Sequence, residues 1–520
     1  MAEQLDFDLC LDDEFDALYL DVKQSGHVGS LSRNAKYPGK LHARRVAAEL
    51  QVDDGFIYLP GQPEIQLEDS DQPRLFRQRR YFMYMTGANF ADCHVTYDVK
   101  AAHLVLWIPY VEPRQVLWFG SKPSAAECLR LFDVDEVRYA SQLPKFVAAL
   151  PCDKTLYLLH ADQKPPVEGD RSRCKVNSSL LRPAMDRARV VKTDYEIAMI
   201  RRANDVSSAA HRKVAQLLLS LGTERDVEAV FQALCTSRGA RSQSYPIIAG
   251  AGTNASTLHY DLNDQPLQGK QLLLLDAGCE WDCYASDVTR TLPLSGAWTP
   301  RAAAIHAVVQ RMQNECIAGV RPGAVFYKLH LHAADVALDG LLNLGILKGN
   351  REEIARAGTV AGFFPHGLGH HVGLEVHDVS GGIPLAATDR RRLDGGKREM
   401  MMAADLVALR RRSRHLTAED AERQALRPNM VVTVEPGMQV APTPTPVRCP
   451  YFCREFLEGY YLGNSPHARF IDGALLEEYY PVGGVRIEDC IRVTAEGNEN
   501  LTSAPKGDEL LDVINRRTKH

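Results

Sequence analysis

Five side chains in the second half of this 520-residue chain have the chemistry to hold metal ions: Asp276, Asp287, His370, Glu435 and Glu488. Four carboxylates and one imidazole, with no thiolate, suit a pair of hard or borderline divalent cations, Mn2+ foremost. Two such ions held close together activate a water for hydrolysis. The local contexts fit that use. Asp276 ends the apolar run Leu272-Leu273-Leu274-Leu275, and Asp287 opens Asp287-Val288-Thr289-Arg290-Thr291. His370 closes His366-Gly367-Leu368-Gly369-His370. Glu435 lies in Val434-Glu435-Pro436-Gly437, and Glu488 in Gly484-Val485-Arg486-Ile487-Glu488-Asp489.

Elements of two kinds must position these groups. Asp276 and Asp287 stand eleven residues apart with Gly278 between them, a spacing that lets two adjacent strands present both carboxylates to one point. Thr193-Asp194-Tyr195-Glu196 is a capping box, and Ile197, Ile200 and Ala203 then recur on one helical face. Thr299-Pro300 opens another helix, with Thr as cap and Pro at the first helical position. Helices alternating with strands near 272–292 and 430–435 predict an α+β domain over residues 190–500. Upstream, residues 36–175 contain the β-rich runs Gly55 to Leu59, Leu104 to Ile108, Val116 to Phe119 and Leu156 to Leu159. Helical periodicity appears between them, at Ser124 to Phe132 and Pro144 to Leu150. That alternation predicts an α/β domain. Asp162 to Ser179 is rich in Lys, Pro, Asp and Arg and is the expected linker. Residues 1–35 read as a polar extension and residues 501–520 as a C-terminal tail.

The bulk composition excludes several classes. A chain of this length exceeds one ordinary core, so at least two domains are expected. Apolar residues make up 45% and charged residues 24%, which fits a globular protein. The net charge is −5, so the basic footprint of a nucleic-acid binder is missing. The acidic start, Met1 to Asp8, predicts no secretory signal, and no apolar run approaches the roughly 20 residues that span a bilayer. Twelve cysteines without a Cys-x-x-Cys pair read as free thiols in a reducing compartment, so a cytoplasmic location is expected.

Taken in order, the motifs around His366 and His370, the pair His377-Asp378, Val434 to Gly437 and Gly484 to Asp489 resemble those of the pita-bread metallopeptidases: aminopeptidase P, prolidase and methionine aminopeptidase. The likeness covers roughly residues 190–495. It implies an α/β N-terminal domain followed by an α+β pita-bread catalytic domain in which two αββ halves curve around the metals. It also implies Asp276 on one ion, Asp287 and Glu488 bridging, and His370 and Glu435 on the other, with a solvent hydroxide between. Glu435 is the implied general base. His366 and His377 are the implied catalytic histidines, contacting substrate and stabilising the tetrahedral intermediate. His259 is implied to line the substrate pocket, and Arg486 can orient a carboxylate by a charge-assisted bond. The family's substrate-holding arginine matches Arg410, Arg411 or Arg414 only loosely, and a solvated basic face explains each of them as well.

Three stretches depart from the family pattern: Asp378 to Asn429, Met438 to Pro450 and Tyr451 to Asp472. Insertions lie near 380–429 and 438–450, the second carrying Pro442-Thr443-Pro444-Thr445-Pro446. The domain before residue 190 resembles the N-terminal domain of aminopeptidase P and prolidase, which the simplest methionine aminopeptidases lack. A peptidase for Xaa-Pro bonds is therefore implied, acting on peptides with proline second, with a homodimer as the family expectation. Tyr81 to Gly87 and Tyr451 to Phe456 resemble the fungal Xaa-Pro aminopeptidase branch, which favours release of the first residue from longer peptides. Xaa-Pro dipeptidase (prolidase) is the alternative, and a non-enzymatic pita-bread binding module is a third reading. No nucleic-acid or membrane partner is expected.

Overall fold

The computed structural model describes residues 36–168, 174–383, 385, 400–439, 454–463 and 465–516. The expected extension 1–35 lies outside these residues, as do 386–399 of the first insertion, 440–450 of the second, and 451–453 of the Tyr451 to Phe456 segment.

A six-stranded mixed sheet forms the N-terminal unit. Its strands run in the order Glu136–Tyr139, His103–Ile108, His94–Asp98, Phe56–Pro60, Thr155–Leu158, Lys175–Asn177. The three strands in the middle of that order pair antiparallel, and the outer connections are parallel. Leu104, Leu106, Ile57 and Leu59 face helix Gly39–Leu50, while Val105, Trp107 and Tyr58 face helix Leu143–Ala148. Period-two alternation thus loads both faces, as a sheet covered on two sides requires.

Two sequence expectations fail here. Val116 to Phe119, expected as a strand, lies in helix Pro113–Phe119. Pro113 occupies the first helical position and Glu112 with Gln115 closes a capping box, which overrides the β-propensity of the run. The expected linker, Asp162 to Ser179, contains strand Lys175–Asn177, which adds to the sheet edge in parallel with Thr155–Leu158. Its charged residues suit an edge strand.

The second unit is built from short antiparallel sheets backed by helices. Thr289–Pro293, Leu272–Asp276 and Ile248–Ala251 form one, and Val431–Val434, Asp489–Val493 and Asn498–Asn500 another. Gly437–Gln439 pairs with Gly484–Arg486. A bridge between Thr289 and Glu488 joins the first sheet to the segment leading into the second. Helix Asp194–Leu217 carries the predicted capping box and packs against helix Glu224–Ser237, and helix Pro300–Gly319 has Thr299 as its cap. Leu273 and Leu275 pack with Ala210, Val214 and Phe231 of the first helix pair. The even positions of that strand, Asp276 among them, therefore face the other way. The expected tail carries helix Asp508–Ile514, whose Leu510 and Ile514 join the same core. Among the described residues no helix is long and apolar enough to cross a membrane.

Candidate metal centre

Four of the five candidate ligands sit within two residues of a strand end, and His370 precedes the isolated bridge of His371 to Val432, so backbone pairing fixes each position. Antiparallel register sets Thr289 opposite Asp276, which brings Asp287 beside Asp276 at the same sheet end. Glu488 enters through its bridge to Thr289, whose hydroxyl donates to Glu488 Oε2 at 2.7 Å. His370 and Glu435 come together because residues 368–372 run against Val431–Val434. Glu435 N–H donates to Leu368 O, Thr433 N–H to His370 O, and Val372 N–H to Val431 O. Gly369 makes this approach possible: a Cβ there would stand 2.1 Å from Thr433 O.

The result is one cluster. Ligand atoms of Asp276, Asp287 and Glu488 lie within 4.8 Å of one another, as do those of His370, Glu435 and Glu488, and those of Asp287, His370 and His377. Asp287, His370 and Glu488 each belong to two of these groups. His370 Nε2 stands 3.2 Å from Asp287 Oδ2 and 3.3 Å from Glu435 Oε1. Its Nδ1 lies 3.1 Å from His371 O, a contact that holds Nδ1–H as donor and leaves Nε2 to face the carboxylates.

Burial dominates the electrostatics. It pushes the Asp276 carboxyl up, opposed first by Arg486 and reinforced by Asp287. It pushes Glu435 up to about 7, with His370 opposing and Asp287 adding repulsion. Glu488 is driven well above the usual carboxylate range by burial and then by Asp287 and Glu435. Arg486 Nη2 donates to Asp276 Oδ2 at 2.5 Å. One guanidinium does not balance four crowded carboxylates. Two divalent cations would, and Glu488 Oε1, buried with no hydrogen-bond partner among the described residues, would give one of them a ready ligand. The residues present therefore fit a pair of metal ions.

The remaining predicted residues are placed at differing distances from this cluster. His377 packs its ring edge-on against His370, centroids 4.2 Å apart. His366 sits half-buried, with Nδ1 2.9 Å from Gly367 O, its ring edge-on to Phe364, and its Nε2 against Gly437. His259 occupies an exposed turn after Gly252–Ser256 and belongs to none of the three ligand groups. Arg410 lies in helix Ala403–Arg414 and pairs with Asp335 at 2.6 Å, and Arg411 and Arg414 are exposed on the same helix.

Three residues at the site escaped the sequence reading. Tyr245 OH reaches Asp276 Oδ1 at 2.6 Å and Asp287 Oδ1 at 2.5 Å. Thr289 holds Glu488, and Thr433 accepts from His370 N–H at 3.0 Å while its hydroxyl reaches Glu435 Oε1 at 3.4 Å. A hydroxyl inside the apolar run Val431-Val432-Thr433-Val434 was the available signal for Thr433. Tyr245 had none.

Comparison with known proteins agrees with this architecture. The profile of metallopeptidase family M24 matches residues 198–495, and that of the aminopeptidase P N-terminal domain matches residues 41–157. The chain belongs to metallopeptidase family M24, and membership implies divalent metal ions. A probable Xaa-Pro aminopeptidase of Metarhizium robertsii is 63% identical, with 99% of this chain and 100% of that protein covered. A second, of Colletotrichum graminicola, is 55% identical with 97% of each covered. The fold matches zinc-substituted aminopeptidase P of E. coli in complex with product, with TM-score 0.69, 24% identity, and coverage of 94% of this chain and 100% of that one.

Proposed function

We propose that this protein is a two-metal Xaa-Pro aminopeptidase, releasing the first residue of peptides with proline second. The observation that carries the reading is the pair of ligand groups meeting at Glu488, in a chain 63% identical over its length to a probable Xaa-Pro aminopeptidase. Asp276, Asp287, His370, Glu435 and Glu488 are the residues that would hold the two ions. The hard donor set favours Mn2+. Two ions held there would supply a water of lowered pKa and a Lewis acid for the scissile carbonyl. The protein's own groups do the rest. Glu435, at the edge of the cluster beside His370, takes the proton of the attacking water. His377 and His366 flank the ligands and donate to the substrate carbonyl as charge develops on its oxygen. Arg486 and Tyr245 hold Asp276 in orientation. His259 reaches the substrate from its exposed turn.

We also assign a homodimer and a cytoplasmic location. Leu117 and Trp118, adjacent on helix Pro113–Phe119, are 87% and 81% exposed, which supports a covering partner. The nine described cysteines are all free thiols, in keeping with a reducing compartment.

The test is hydrolysis of Gly-Pro-Pro and of Gly-Pro by purified protein with added Mn2+, products separated by chromatography. Glycine released from the tripeptide is expected. Cleavage of the dipeptide alone assigns a dipeptidase instead, and no cleavage with metal bound refutes the substrate class.

A further inference from the structure

The loop that presents His377 is held from outside the sheets that carry the ligands. Asp378, the next residue, is buried, and its carboxylate is gripped from both sides. Arg189 Nη2 donates to Oδ1 at 2.6 Å, and Lys192 Nζ to Oδ2 at 2.9 Å. Both cations are themselves about as buried as the carboxylate, with side chains 2% and 1% exposed. Arg189 lies in helix Leu181–Val190, and Lys192 immediately precedes the cap of helix Asp194–Leu217, so the grip comes from the segment joining the two domains. The N-terminal domain takes a second hold on the same loop: Arg77 Nη2 pairs with Glu375 at 2.7 Å.

The backbone transmits this grip to the site. Asp378 N–H donates to His371 O at 2.9 Å, which closes residues 371–378 into a loop anchored at both ends. His377 sits at the closed end, edge-on to His370. Burying three ionised groups is a poor source of stability, because desolvation offsets their attraction. Such a cluster defines geometry strongly, since moving any member leaves a charge unpaired. Gly373 reinforces the point: a Cβ there would stand 2.2 Å from Asp378 Oδ2, so the loop has been left empty where the carboxylate sits.

We propose that Asp378, gripped by Arg189 and Lys192, is a positioning residue that sets where His377 stands beside the ligand cluster. The connector between the domains is thereby part of the substrate site. The inference rests on the Xaa-Pro aminopeptidase reading, because it takes His377 to touch substrate.

A double-mutant cycle on the full chain separates positioning from simple structural support. Native protein, Lys192→Met, His377→Ala and the double variant are compared on Gly-Pro-Pro with Mn2+, with kcat, KM and bound metal measured. Lys192→Met is expected to lower kcat about tenfold with KM within about twofold and metal content unchanged. In the His377→Ala background the same change is expected to cost no more than about twofold, because the group it acts through is gone. Gly373→Ala displaces the carboxylate without removing a charge, should give the same pattern, and carries the cycle if Lys192→Met does not fold. Equal losses with and without His377, or full activity in both variants, overturn the inference. A native enzyme that releases no glycine refutes the substrate reading, and the inference falls with it.

Discussion

Tyr245→Phe removes one hydroxyl from the site and little else. That hydroxyl has a single hydrogen, held between Asp276 Oδ1 at 2.6 Å and Asp287 Oδ1 at 2.5 Å. A hydrogen bond to a charged group contributes about 1.5–3 kcal/mol. Residues that orient ligands from behind typically change metal affinity about 10–100-fold. That range corresponds to about 1.4–2.7 kcal/mol, so the two routes agree. A further effect has a definite sign. The phenol is one of the contacts that hold the Asp276 carboxyl down against burial, so its loss raises that carboxyl. Protons then compete better with metal, and the affinity loss should grow as pH falls from about 7.5 to about 6. Calorimetric titration of metal-stripped native and variant protein with Mn2+ at both pH values measures it, with thermal melts confirming the fold. Affinity within about twofold of native at both pH values would refute the assigned role of Tyr245.

Glu435→Gln should lower kcat by about 100-fold or more with the fold retained, and near-native turnover in the peptide assay would remove Glu435 as the base. Arg290→Met should destabilise the protein by about 3 kcal/mol in urea unfolding. Its buried guanidinium donates to Asp489 Oδ1, Glu488 O, Ala504 O and Pro505 O, so a shift under about 1 kcal/mol would show that those acceptors find other partners. His330 is buried against Phe364 with its pKa lowered to about 4 by burial, whereas an unfolded histidine titrates near 6.5. Below about 6.5 the unfolded chain binds this proton and the folded chain does not, so His330 costs stability as pH falls, about 1 kcal/mol between pH 7 and 5.5. His330→Phe should reduce the acid loss of stability by that amount, and an unchanged pH slope would contradict a neutral buried imidazole.

The five residues that the structure gathers into one cluster were legible as candidates because each is marked by residue type and by a few neighbours in sequence. The apolar run before Asp276 becomes a buried strand, and the eleven-residue spacing to Asp287 becomes an antiparallel pair with Thr289 opposite Asp276. The helix starts at Thr193 and Thr299 were legible for the same local reason. What supports the ligands was not. Tyr245 meets Asp276 and Asp287 from 31 and 42 residues away, and Lys192 meets Asp378 from 186 away. Nothing local to either partner announces such contacts. Val116 to Phe119 shows the opposite failure. Its β-rich composition was read, but the preceding Pro113 and the Glu112–Gln115 box decided the backbone. A short apolar run does not by itself distinguish strand from helix.

A two-metal centre joined at Glu488 predicts a definite metal stoichiometry. Metal-stripped native protein and Glu488→Gln should be equilibrated with Mn2+, freed of excess ion and counted for bound metal by mass spectrometry. The native chain should hold about two ions and the variant at most one, held more weakly, because Glu488 belongs to two of the three ligand groups. A folded native chain that retains no metal, or a variant that retains as much as the native chain, would contradict the account.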